Sequence, residues 1–167
     1  MRFVPLTNGR FAKVDDPDFE KVSKFKWRMA SCRGGTGNEY AVTYMRIDGE
    51  LKIIYMHRYI TGSSSTLDHK NGDSLDNRRE NLRAATRVEN GRNRKLQVHS
   101  APYKGVSLFK ASKTPKWQAY GAKSGKNVHL GYFQSPELAA EAYDNFALAN
   151  YGQFARTNQQ MRYNFEI

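Results

Sequence analysis

Residues 67–83 read LDHKNGDSLDNRRENLR, and Asn90 closes the stretch TRVEN a little further on. Phosphodiester hydrolysis requires an activated water, a Lewis acid on the phosphate oxygens and charge relief at the leaving oxygen. A neutral imidazole takes a proton from water near neutral pH, because its ordinary pKa is about 6.5. A carboxylate and an amide oxygen suit Mg²⁺, which keeps its remaining positions for water and phosphate. Asp68 and His69, followed by Asn81 and Asn90, provide that set of groups. By residue type alone the stretch is also an ordinary polar turn, since Asp, Asn and Gly are the default turn residues.

Such groups work only when rigid elements hold them. Upstream, Asn8-Gly9 lies between the apolar runs Phe3–Leu6 and Phe11–Val14, and Asp48-Gly49 lies between Tyr40–Ile47 and Leu51–Met56. Both are hairpin signatures. Asp18 to Trp27 has a helical pattern, and Ser31 to Asn38 reads as a flexible segment. Asn71-Gly72 marks a tight reversal inside the polar stretch. Downstream, Thr86-Arg87-Val88-Glu89 fits a capping box, so a helix is expected from Arg87 to the mid-nineties.

Beyond the polar segment Gln97 to Pro102 the pattern changes. Tyr103–Phe109, Trp117–Ala122 and Val128–Phe133 are strand candidates, with Ser124-Gly125 turning the second pair. SPELAAEAYDNFALANYG supplies a helix with Ser135 as N-cap, Pro136 in the first turn and Gly152 after the end. Leu138, Ala142, Tyr143, Phe146 and Ala149 are expected to form the stripe that packs on the strands.

The chain has 167 residues, enough for one ordinary domain or two small ones, and 39% of them are hydrophobic. Twenty-seven Lys and Arg against sixteen Asp and Glu give a net charge of +11. That balance points to a polyanionic partner, with nucleic acid the usual one. Cys32 stands alone, which excludes a disulfide framework and a cysteine zinc site. No signal-peptide core or membrane-length apolar run is present, so a soluble, cytoplasmic protein with no membrane partner is expected.

MHR (Met56-His57-Arg58), then LDHKNGDSLDNRRENLR, then Thr86 and Asn90 resemble, in order and spacing, the HNH nuclease motif in its His-Asn-Asn variant, known from phage-type homing endonucleases. LTNGRFAKVDD and KFKWRM resemble the leader of that family, so the likeness covers almost all of residues 1–95. The resemblance implies two strands and a helix around one divalent metal. It implies that Asp68 and Asn90 are metal ligands, His69 the general base, and Asn81 the group that orients that histidine or braces the loop. His57 recurs in the MHR portion without an assigned role. Asn stands at position 90 where the most familiar form has His, which disfavours zinc and favours Mg²⁺, with Mn²⁺ as the alternative. Arg78, Arg79, Arg83, Arg87, Arg92 and Arg94 are expected among the backbone-phosphate contacts.

YKGV, KWQAY, VHLGYF and ELAAEAYD resemble, in order and gaps, the AP2 DNA-binding domain over residues 103 to about 158. That likeness implies a sheet lying in the major groove and backed by a helix. Strand alternation puts Val106, Leu108, Trp117, Ala119, Val128 and Leu130 toward the helix. Ser107, Phe109, Gln118, Tyr120, Asn127 and His129 then face DNA, with Lys110, Lys116, Lys123 and Lys126 near phosphates. The arginines and tryptophan of plant-type AP2 surfaces are missing from this face.

The expectation is an α+β chain: a nuclease region over 1–96 with a β leader, a linker at 97–102, a DNA-binding region over 103–160 and a tail at 161–167. Its expected activity is metal-dependent cleavage of double-stranded DNA, as monomer or dimer. The alternative is a DNA-binding regulator on an inactive nuclease fold. RNA binding is disfavoured, since the sheet lacks a paired stacking motif of the RNP kind.

Overall fold

The computed structural model describes residues 1–31, 39–96, 102–110 and 116–162. Cys32, the glycine-rich segment 32–38, residues 97–101 of the expected linker and the tail from 163 lie outside the described residues. The chain divides into two compact units, Met1–Asn90 and Gly91–Ile167. The architecture is α+β, with four small antiparallel sheets among the described residues.

In the first unit β1 (Arg2–Pro5) and β2 (Phe11–Val14) form the expected hairpin, with Pro5 opposite Phe11 and Gly9 at φ 79°. Helix α1 (Asp16–Val22) starts two residues earlier than the sequence suggested and stops at Val22. Pro17 sits in its first turn, where a missing N–H costs nothing. Trp27, expected in that helix, instead bridges Leu6, is almost fully buried and donates from its indole to the Val22 carbonyl (2.8 Å). It anchors a core of Val4, Leu6, Ala12, Val14, Val22, Ala41, Met56, Ile60 and Leu75.

Strands β3 (Arg28–Ser31), β4 (Glu39–Ile47) and β5 (Glu50–Tyr55) make one sheet. Asp48 and Gly49, both at positive φ (53° and 80°), close the β4–β5 hairpin. A two-residue loop with both positions left-handed matches the twist of its strands. Helix α2 (Met56–Thr61) buries Met56, His57 and Ile60. Strands β6 (Leu67–His69) and β7 (Leu82–Ala84) pair antiparallel, and α3 (Arg87–Arg92) follows, ending earlier than expected.

In the second unit β8 (Val106–Phe109), β9 (Lys116–Lys123) and β10 (Lys126–Phe133) form a sheet in the order β10-β9-β8. Ser124 and Gly125 again supply two positive φ angles at the turn. Helix α4 (Pro136–Tyr151) has Ser135 as N-cap, its side chain accepting from Leu138 N, and α5 (Asn158–Arg162) follows. The buried stripe of α4 is Ala139, Ala140, Tyr143, Ala147 and Tyr151. Leu138, expected in the stripe, is 49% exposed, and Ala149 is exposed too. The physical reason is distance: alanines let the helix backbone approach the sheet closely, and the large rings of Tyr143 and Tyr151 then fill the gaps. Gly121 belongs to the same close approach, because a Cβ there would lie 2.1 Å from the Phe146 ring.

Gly121→Ala is therefore expected to lower the stability of the second unit by about 1–3 kcal/mol, the usual cost of overpacking. Urea unfolding followed by tryptophan fluorescence and circular dichroism checks it. An unchanged midpoint would mean that the Phe146 contact yields freely.

Candidate active site

The polar stretch is a framed loop. Gly72 N donates to the His69 carbonyl (2.8 Å) with Gly72 at φ 68°, which is the tight reversal expected at Asn71-Gly72. The backbone then lies along β2: Lys13 N donates to Leu75 O and Asn77 N to Lys13 O, both at 2.8 Å. Asn81 braces the loop across its width. Its Nδ2 donates to Asn71 Oδ1 (3.0 Å) and to Asp76 O (2.7 Å), while its Oδ1 accepts from Asn71 N (3.0 Å). The amide oxygen facing His69 belongs to Asn77, 3.3 Å from Nε2.

Asp68 and His69 are neighbours on β6, so their side chains leave the ribbon on opposite faces. Asp68 stands opposite Arg83 on β7, and Arg83 grips its Oδ2 with Nε (2.8 Å) and Nη2 (2.6 Å). His69 is buried beside His57 (ring centroids 5.2 Å apart) and Tyr40 (6.0 Å). Burial is the main influence on His69 and pushes its pKa below the ordinary value; the Asn77 contact and the carboxylates of Asp68, Asp73 and Asp76 act the other way. The ring is therefore neutral at neutral pH, as a base must be. His57, enclosed by Tyr40, Tyr55 and His69, is driven down to about 3, chiefly by burial and then by His69 and Arg58. Burial thus keeps it uncharged across the physiological range.

Asn90 sits half-buried on α3, whose start is fixed by a reciprocal capping box. Thr86 N donates to Glu89 Oε2 (2.7 Å) and Glu89 N to Thr86 Oγ1 (3.2 Å). Asp68 and Asn90 offer one carboxylate and one amide oxygen, a donor set that fits a hard cation. Among the described residues no group of three or more His, Cys, Asp or Glu gathers as a metal cage.

The arginines expected on phosphates divide by their partners. Arg78 is held by Asp76 (Nε 2.8 Å, Nη2 2.7 Å) and Glu80, and Arg79 by both oxygens of buried Asp18 (2.7 Å each). With Arg83 on Asp68, these three guanidinium groups serve internal carboxylates. Arg92 lies over the Tyr151 ring (4.6 Å), and the Arg92 and Arg94 carbonyls accept from Lys104 Nζ. Arg87 is exposed on the first turn of α3. Asn77 and Tyr40, both at His69, were not singled out by the sequence reading. Asn77 lies within the quoted stretch but is one Asn among three, and no local rule separates a loop brace from a histidine partner.

In the second unit α4 covers one face of the sheet through Val106, Ala119, Trp117, Leu130 and Phe133. Ser107, Phe109, Gln118, Tyr120 and His129 lie together on the other. Asn127 is exposed opposite Ala122, and Lys110, Lys116, Lys123 and Lys126 stand at strand ends. The face also holds Tyr132, which simple alternation places inward. A register shift between His129 and Gly131 reverses the phase, bringing Tyr132 opposite Gln118 and turning Phe133 to the core. Gly131 inside a strand was the available signal for that bulge.

Burial of a neutral His57 links folding to pH. Its ordinary pKa of about 6.5 applies to the unfolded chain, and its folded value is about 3. The unfolded state thus binds more protons between those values, so the stabilisation is full above pH 6.5 and is lost as pH falls toward 3. The loss approaches about 1.4 kcal/mol per pH unit from this one group. His57→Gln is expected to flatten that dependence. Urea midpoints of both proteins at neutral and acidic pH measure it, and parallel curves would contradict the assignment.

Comparison with known proteins meets this geometry at the same residues. Residues 65–92 match the family described as HNH endonuclease. Over 159 residues, 90% of this chain and 76% of the relative, the sequence is 29% identical to an uncharacterised HNH endonuclease, L560, of Acanthamoeba polyphaga mimivirus. No solved structure gives a significant match. The segment that holds Asp68, His69, Asn81 and Asn90 thus matches the HNH endonuclease family, and similarity to a viral protein of that description extends over most of the chain.

Proposed function

We propose that the protein is a metal-dependent endonuclease of the homing type that cuts phosphodiester bonds in duplex DNA, with a nuclease unit at the N-terminal side and an AP2-like DNA-binding unit at the C-terminal side. The observation that carries the reading is His69: a buried imidazole, adjacent in sequence to a carboxylate, inside the segment that matches the HNH family. Asn77 supports its role as a base. Asn77 Nδ2 donates to the Leu75 carbonyl (3.1 Å), which turns Oδ1 toward His69 Nε2. Nε2 then carries the proton of the neutral ring, and the lone pair resides on Nδ1.

His69 Nδ1 takes a proton from a water while that water's oxygen forms a bond to phosphorus in line with the departing 3′ oxygen. The bond from phosphorus to that oxygen breaks, leaving a 5′ phosphate and, after protonation, a 3′ hydroxyl. A divalent cation, Mg²⁺ or Mn²⁺, held by Asp68 and Asn90, supplies Lewis-acid polarisation of the phosphate and charge relief at the leaving oxygen when bound. Asn81 keeps the loop from spreading, so Asp68 and His69 hold their places on β6.

One observation favours the other reading, a DNA-binding regulator without catalysis. Arg83 already neutralises Asp68, with both side chains nearly buried. An arginine on a ligand carboxylate competes with a cation for the same charge.

Supercoiled plasmid, with Mg²⁺ or Mn²⁺, separates the two. Nicked or linear product is expected, abolished by EDTA and reduced about 10²–10⁴-fold in His69→Ala, the usual worth of a general base. Cleavage surviving either control defeats the mechanism, and DNA binding without any cleavage supports the regulator. The pH profile is a second check. Because burial lowers the His69 pKa, the rate is expected to hold as pH falls to 6.5 and to decline below it. A rate already declining above 6.5 would contradict a buried imidazole base.

A further inference from the structure

The face of the β8–β10 sheet opposite α4 carries a continuous aromatic ribbon. Phe109 and Tyr132 have ring centroids 4.8 Å apart, Tyr132 and His129 4.7 Å, and His129 and Tyr120 5.0 Å. Tyr132 and Tyr120 remain 50% and 37% exposed. Polar groups on this face are turned to one another. Gln118 Nε2 donates to Ser107 Oγ and Gln118 Oε1 accepts from the Tyr120 hydroxyl, both at 3.1 Å. The hydrogen-bonding capacity a base edge would use is thus partly spent within the sheet, and apolar ring surface is what the ribbon presents.

Charge says what covers it. From 103 to 134 the sequence holds lysines and no aspartate or glutamate. The acids of this unit that lie nearest in sequence, Glu137, Glu141 and Asp144, belong to α4, which packs on the opposite face. A polyanion is the complement to such a surface, and a narrow β-ribbon is an element that the DNA major groove admits. The rings meet each other at tilts of 52–59°, so they offer edges more than parallel plates. That geometry suits small apolar groups better than stacked free bases. In the major groove the apolar group is the C5-methyl of a pyrimidine.

We infer that the ribbon formed by Phe109, Tyr132, His129 and Tyr120 recognises pyrimidine C5-methyl groups in the major groove of duplex DNA. This rests on the reading of the second unit as a duplex-DNA binder. The lysines then supply salt-dependent affinity that is blind to sequence, and the ribbon supplies the preference. Tyr132 becomes a specificity-determining residue, brought to the face by the bulge.

The test uses the full-length protein in EDTA, so that no DNA is cut, and four duplexes of equal length: alternating d(A-T), d(A-U), d(G-C) and d(G-5-methyl-C). Replacing thymine by uracil removes the methyl and leaves every hydrogen-bonding group in place. Binding is read by fluorescence anisotropy at fixed salt. The two methylated duplexes are expected to bind about tenfold tighter than the two unmethylated ones, since each methyl taken out of water is worth about fourfold. Phe109→Ala and Tyr132→Ala are expected to shrink that ratio toward one. Equal affinity for all four duplexes overturns the inference. So does a preference that follows A·T against G·C whatever the methylation, which would mean readout by hydrogen bonds or groove shape. Tighter binding to a single strand that cannot pair with itself, oligo-dT, than to the alternating d(A-T) duplex overturns it as well. Equal binding by a protein that still cuts plasmid refutes the methyl reading alone, whereas failure to bind any duplex refutes the duplex reading with it.

Discussion

Everything at the candidate active site depends on one constraint: a loop with almost no apolar residue has to be fixed in a buried position. Between His69 and Leu82 only Leu75 reaches the hydrophobic core, yet Asp76 and Asn77 are essentially inaccessible. Polar groups taken out of water must find partners, or each costs about 1–3 kcal/mol. The chain meets this by making the loop its own network. Asn71, Asp76, Asn81 and Arg78 satisfy one another, and Lys13 on β2 holds the backbone at Leu75 and Asn77. The result is a polar segment as fixed as a strand, and it is why β6 can present adjacent residues in defined directions.

The same need for partners explains why Arg78, Arg79 and Arg83, expected on phosphates, are held by internal carboxylates. Arg79 spans 61 residues of sequence to Asp18, and Arg83 crosses a strand pair to Asp68. Asp18 and Asp68 are buried carboxylates, and leaving either without its arginine would strand a charge in a poorly solvated place. A guanidinium fork meets both oxygens of such a group, or one oxygen through two nitrogens, in a way that a lysine does not.

Features governed by neighbours along the chain were legible in the sequence. Asn8-Gly9, Asp48-Gly49 and Ser124-Gly125 all turn hairpins, and both the Thr86–Glu89 capping box and the Ser135 N-cap form with the expected bonds. Each is a short-range rule in which residue type dictates backbone angle or cap. Features that depend on distant packing were not legible. The α4 stripe was misjudged because alanine carries little periodic signal while Leu138 and Ala149 carry a false one. The bulge at Gly131 shifts one strand by a residue and so exchanges the faces of Tyr132 and Phe133. Asn77 and Arg83 acquire their partners only through the loop frame and strand pairing. Residue type nominated the groups able to carry chemistry, and long-range contacts decided which of them are engaged by the protein itself.

The distribution of positive charge then separates two physical tasks. In the first unit much of the arginine charge is answered internally, by Asp76, Glu80, Asp18 and Asp68. Charge used in this way fixes geometry, and bond cleavage needs fixed geometry, since small displacements of reacting groups cost large factors in rate. In the second unit the strand-end lysines lie on elements without a single acidic residue, and their long stems tolerate a partner whose phosphates vary in position. Charge used in that way supplies affinity without demanding register. A net charge of +11 therefore overstates what is offered to a polyanion by one unit and describes well what is offered by the other. On the proposed reading, arginines fixed by carboxylates suit a centre that places one phosphate, and long-stemmed lysines on strands without acidic residues suit a surface that holds many.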